Sequence, residues 1–68
     1  MNNVSSMLYS TIVRYAEGGA RVTTVELPPA LYEEYSNDQG MPQMMRTLRI
    51  KVVSRRIEQP NFITEETK

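Results

Sequence analysis

The chain reads as an α+β protein: a three-stranded antiparallel sheet built from a β-hairpin, one or two short helices and a returning third strand. Three observations predict it. β-branched and aromatic residues crowd two runs, Met7 to Ala16 and Arg21 to Leu27, on either side of Gly18-Gly19. Pro28-Pro29 then opens a short helical stretch. Further on, Leu48, Ile50 and Val52 alternate with Arg49 and Lys51 at the two-residue period of a strand.

Each element has a local reason. Tyr9, Thr11, Ile12, Val13 and Tyr15 favour the first strand; Val22, Thr23, Thr24 and Val25 favour the second. Glycine reaches the positive φ of tight hairpin turns, so Gly18-Gly19 is expected to join them. A two-residue loop would set Ile12 against Val25; a three-residue loop would set Val13 there and reverse the first strand's faces. Proline suits a first helical turn, so Pro28-Pro29 ends the second strand and starts a helix over Ala30 to Tyr35. Leu31 and Tyr35 stand one turn apart on it, and Ser36 to Gly40 stop it. Pro42 can begin a second helical turn through Arg46. Met45, Leu48 and Val52 also match one helical face, but the β-branched density of Ile50 to Val53 favours a strand. The expected organisation is a flexible arm at residues 1–6, one ββαβ-like domain at 7–59, and a flexible tail at 60–68 in which Phe62 and Ile63 could dock.

Composition narrows the chemistry. Sixty-eight residues bury only about 60% of their unfolded surface, which leaves little room for a deep substrate cavity. Without cysteine or histidine the chain lacks thiolate metal ligands, the commonest metal ligand and the commonest general base. Glu33 and Glu34 would diverge by about 100° on a helix and make no catalytic pair. No enzyme activity, cofactor or metal is expected. The apolar runs are far shorter than the roughly 20 residues of a membrane span, and no signal-peptide pattern opens the chain, so a cytoplasmic protein is expected.

Charge is the concentrated feature. Five of the eight basic residues, Arg46, Arg49, Lys51, Arg55 and Arg56, fall between positions 46 and 56. Acidic residues flank them: Glu26, Glu33, Glu34 and Asp38 before, Glu58, Glu65 and Glu66 after. Arginine forms forked, charge-assisted bonds to carboxylate and phosphate, so the cluster reads as a contact for an acidic partner. It also reads as a solvated strand face that discourages edge pairing. The predicted layout puts Tyr9, Val13 and Tyr15 on the same bare sheet face as Arg49, Lys51 and Arg55. Tyrosines there would anchor an interface, or simply pack across the hairpin. Met41, Met44 and Met45 are expected to fill gaps between helix and sheet.

Two functional readings follow. A strand at Arg21 to Leu27, a helix at Pro29 to Ser36 and a second helix at Pro42 to Ile57 would make a ribbon-helix-helix DNA-binding dimer. A non-catalytic, protein-binding monomer accounts instead for the mixed face and the charge polarity. In length and layout, with Met7 to Tyr15 opening a hairpin and Leu48 to Val53 forming a later strand, the chain resembles small bacteriophage regulators of bacterial RNA polymerase. The likeness is to Xanthomonas phage proteins that inhibit initiation and prevent termination. It implies binding to the large polymerase subunits, at the β′ N-terminal region and the neighbouring β subunit. It also implies σ-factor displacement, antitermination close to nascent RNA, and a host bacterial cytoplasm. The partner-binding residues expected from the sequence are Tyr9, Val13, Tyr15, Arg46, Arg49, Lys51, Arg55 and Arg56.

Overall fold

Val4, Leu8 and Ile12 recur at every fourth position, and the segment that carries them is a helix. In the structure, a computed structural model describing residues 3–66, α1 spans Asn3–Glu17. Val4 and Leu8 are buried in the core and Ile12 packs against it. The expected first strand, and with it the hairpin, is therefore wrong. β-branched residues lower helix stability by at most about 0.7 kcal/mol each, whereas burying one large apolar side chain contributes about 1.5–3 kcal/mol. The helical stripe outweighs the strand propensity. The expected arm at residues 1–6 is corrected too: Val4 and Ser5 are buried in the first turns of α1. Residues 1 and 2 lie outside the described residues.

Gly18 and Gly19 still make a turn, but at a helix end. The Gly18 N–H donates to Arg14 O (3.2 Å) and Tyr15 O (3.0 Å), and the Gly19 N–H to Ala16 O (3.0 Å). Gly19 has φ +86°, the left-handed conformation that commonly terminates helices. The chain then enters β1, Ala20–Leu27. Its buried residues are Val22, Val25 and Leu27. A shift of register between Val22 and Thr24 lets Val22 and Val25 face the same way despite their odd spacing.

Pro28 and Pro29 end β1 and begin α2, Pro29–Asn37, as expected. A second short helix, α3, runs Met41–Thr47. Asp38 organises the turn between them. Its Oδ1 accepts the N–H groups of Gly40 (3.0 Å) and Met41 (3.1 Å), and its Oδ2 accepts the hydroxyl of buried Ser5 (2.5 Å). One carboxylate thereby ties α1 to the start of α3. The Ser5 bond first, then the two backbone bonds, hold its carboxyl below the usual range.

After α3 comes β2, Lys51–Ser54, so a later strand exists, but it starts three residues beyond the expected Leu48, which caps α3 instead. It pairs with β1 in parallel, Thr24 with Lys51 through Leu27 with Ser54, which corrects the all-antiparallel sheet. The reason is the connection: α2 and α3 carry the chain back across the sheet, as a parallel pair requires. The segment expected to be a loose tail supplies β3, Asn61–Glu66, antiparallel to β1. Strand order is β2-β1-β3, with β1 in the centre. Its pairing sets Val25 beside Val52 and Phe62 on the face that the helices cover. Met41, Met45 and Tyr35 complete the core from the helical side. The opposite face carries Thr24 and Glu26 between Lys51, Val53, Asn61 and Ile63. Among the described residues, no helix is long and apolar enough to cross a membrane.

Candidate partner-binding surface

The expected site divides in two. Tyr9, Val13 and Tyr15 belong to α1, not to a sheet face. Tyr9 is 57% exposed, pointing away from the stripe of Val4, Leu8 and Ile12. Tyr15 leans on Phe62, ring centroids 6.0 Å apart. Val22 is in the core. Strand alternation places Lys51 on the uncovered sheet face, as expected, but no aromatic from α1 joins it there. The predicted union of tyrosines and cations is a correction: helix α1 carries the one group and the α3–β2 flank the other.

The cations are neighbours along the chain and lie on both sides of β2. Arg46 lies on α3, Arg49 on the turn, Lys51 on β2, and Arg55 and Arg56 just beyond it; all five are exposed. Arg55 meets Glu26, which also accepts a hydrogen bond from Asn61 Nδ2 (2.9 Å). That pair is open to solvent on the arginine side and contributes about 1 kcal/mol or less. Its effect is to orient the guanidinium beside the outer face of β1.

Arg49 has an unusual backbone. Its φ is +61°, a conformation that costs a side-chain-bearing residue about 1–2 kcal/mol. The neighbouring bonds explain the need. Ile50 N–H donates to Met45 O (2.9 Å) and Arg49 N–H to Arg46 O (3.1 Å), the paired bonds of a Schellman helix end whose left-handed position is usually glycine. Burial of Met45 and Ile50 on either side holds the turn closed.

Sequence reasoning missed a groove beside these cations. Tyr32, Tyr35, Met45, Arg46, Ile50 and Val52 line an open cleft of about 380 Å³ between α2, α3 and β2. The tyrosine rings lie 5.8 Å apart. Burial, then the neighbouring Tyr32, push the Tyr35 hydroxyl above its ordinary pKa, with Arg46 acting in the other direction. The spacing of Tyr32 and Tyr35, three apart on a helix, is the signal in the sequence that points to this groove. A second, more apolar groove of about 310 Å³ lies between α1, the start of β1 and the exposed Leu48, with Ile12, Ala16 and Arg21 on its walls.

Among the described residues, no three acidic, histidine or cysteine side chains are placed to hold a metal ion. These surfaces present aromatic and aliphatic walls, backbone groups at a strand edge, and exposed positive charge. No protein-family model, curated protein or solved structure matches this chain.

Proposed function

We propose that the chain is a non-catalytic regulator that binds bacterial RNA polymerase through its cationic α3–β2 flank, blocking initiation by σ-factor displacement and promoting antitermination. The observation that supports a binding role is the exposure of Arg46, Arg49, Lys51, Arg55 and Arg56 in one short stretch running from α3 through β2. Arg49 adds weight, because a strained backbone keeps an arginine where glycine would relax it. Such a flank speeds encounter with an acidic protein surface and selects against basic ones. Polymerase is singled out by the resemblance in length and layout. Of the residues that carry it, Lys51 to Val53 lie in β2, Leu48 and Arg49 in the turn before it, and Met7 to Tyr15 in α1 rather than in a hairpin. Contact with the β′ N-terminal region and β, in the host cytoplasm and near emerging RNA, belongs to the same proposal.

The ribbon-helix-helix alternative meets a direct obstacle. Its ribbon needs a strand free to pair with a second copy, and β1 has both edges occupied within the chain. Its second helix would extend through position 57, but α3 ends at Thr47.

The test is copurification. Tagged protein should retain RNA polymerase from a bacterial lysate, sediment as a monomer and leave free duplex DNA unshifted. Reversing Arg49 and Lys51 to glutamate should slow association with purified polymerase roughly tenfold at low salt and flatten its salt dependence. Failure to retain polymerase, or a shifted DNA duplex, would remove this reading.

A further inference from the structure

β2 is an edge strand. One side pairs with β1, and among the described residues no strand pairs with the other. The Arg55 N–H donates to Leu27 O (2.9 Å), and the backbone groups of successive residues in a strand point to alternate sides. Val53 and Lys51, at two-residue steps from Arg55, therefore also turn toward β1. Val52 and Ser54 turn their N–H and C=O groups outward, two donors and two acceptors along an open edge. The tyrosine-lined groove runs beside this edge. Its walls come from α2, α3 and the inward residues Ile50 and Val52, with none from β1. An edge strand facing a helix across a groove is the arrangement that accepts an added strand: backbone bonds supply affinity and alternate side chains supply selectivity.

We infer that the β2 edge binds an extended acidic peptide segment of a partner, pairing with Val52 and Ser54. Charge decides the chemistry of this occupant. Lys51 lies on the outer face of the edge strand and Arg55 follows at its end, while Arg46 lines the groove on the inner side. Side chains of the added strand that fall outward meet Lys51 and Arg55, so acidic residues are favoured there. Those that fall inward pack on Val52 and Tyr32, so apolar residues are favoured, with a carboxylate acceptable against Arg46. A segment alternating acidic and apolar residues fits both. A nucleic-acid backbone fits less well, because phosphates accept hydrogen bonds but cannot donate to the outward C=O groups. The other open edge, on β3, carries Glu65 near its end and would repel the same segment. This inference rests on the protein-binding reading above and specifies its contact.

The experiment is a titration of the isotope-labelled full chain, followed by its backbone amide resonances. The probes are a blocked hexapeptide of alternating Glu and Val and its Lys/Val counterpart. Shifts should concentrate at residues 50–55 and along Tyr32 to Arg46, with the lysine peptide at least tenfold weaker. Ser54→Pro removes one outward donor and no sheet bond, a substitution that edge strands tolerate. It should keep the parent's amide dispersion and lose at least tenfold in affinity for the acidic peptide. Equal binding of both peptides, shifts centred on α1 and Leu48, or the same shifts with an oligouridylate would overturn the inference. So would self-association abolished by Ser54→Pro, which would place a second copy on the edge. The two proposals fail separately. Peptide binding at the edge with no polymerase captured leaves the edge and removes polymerase. Equal capture of polymerase by parent and Ser54→Pro, without peptide binding, does the reverse.

Discussion

Two turns in this protein do the same work with different residues. Each takes the chain from a helix end into one of the two parallel strands through one left-handed position. At the α1–β1 turn that position is Gly19, with φ +86°; at the α3–β2 turn it is Arg49, with φ +61°. Their surroundings differ as well. Arg49 sits between buried Met45 and buried Ile50, while the first turn lies beside Tyr15, which is 38% exposed, and half-buried Ala20. A turn with little burial around it relies on glycine to adopt its geometry. A turn clamped by the core can force that geometry on an arginine. The strain tolerated at Arg49 places a guanidinium at the head of the cationic flank.

That comparison can be broken from its strongest support downward. Met45→Ala removes the clamp, and the cavity should cost about 2–5 kcal/mol in chemical denaturation. A much smaller loss would mean that the α3–β2 turn holds itself. Gly19→Ala should cost about 1–2 kcal/mol. A Cβ at Gly19 would meet no atom within 4 Å, so the whole effect would be conformational; an unchanged midpoint would show that this turn does not need glycine.

Asp38 tests the other end of α3. Its carboxyl is held below the usual range in the folded chain, whereas an unfolded aspartate titrates near about 3.9. Below that point the unfolded chain binds more protons, so the stability owed to Asp38 is intact above about pH 4 and fades as pH falls through the folded value. Denaturation curves of the parent and Asp38→Asn should therefore differ at pH 7 and draw together as pH falls below the ordinary aspartate range. A gap independent of pH would assign the effect to geometry alone. The smallest expected effect is Arg49→Gly. Relief of strain, partly offset by the greater freedom of glycine when unfolded, should raise stability by about 0.5 kcal/mol. At roughly 4–8 °C per kcal/mol for a domain of this size, the midpoint should rise about 2–4 °C. The same variant should bind polymerase more weakly. Gain on both counts would deny Arg49 a binding role.

Legibility followed the range of the interaction. The second strand, the proline-initiated helix and the extended stretch at Ile50 to Val53 were all readable, because each depends on neighbours in sequence. The α1 stripe was readable too: Val4, Leu8 and Ile12 stand at helical spacing, and starting the segment at Met7 hid the first of them. β3 was not. Asn61 to Glu66 has ordinary strand propensity, and only the open side of β1 makes it a strand. Of the candidate site, the cations held together since they lie close along the chain. The tyrosines of α1 departed once their segment proved helical, and the Tyr32–Tyr35 groove came into being only where α2 met β2.

By itself the sequence determined where the chain must break and where its positive charge must gather. Proline, glycine and a run of basic residues act over a few covalent bonds and need no partner. The fold alone decided which strands pair, that β1 is central, and that an unpaired edge lies beside the cations. Those outcomes depend on competition among distant segments for the same buried face, and the arrangement adopted buries Val22, Val25 and Leu27.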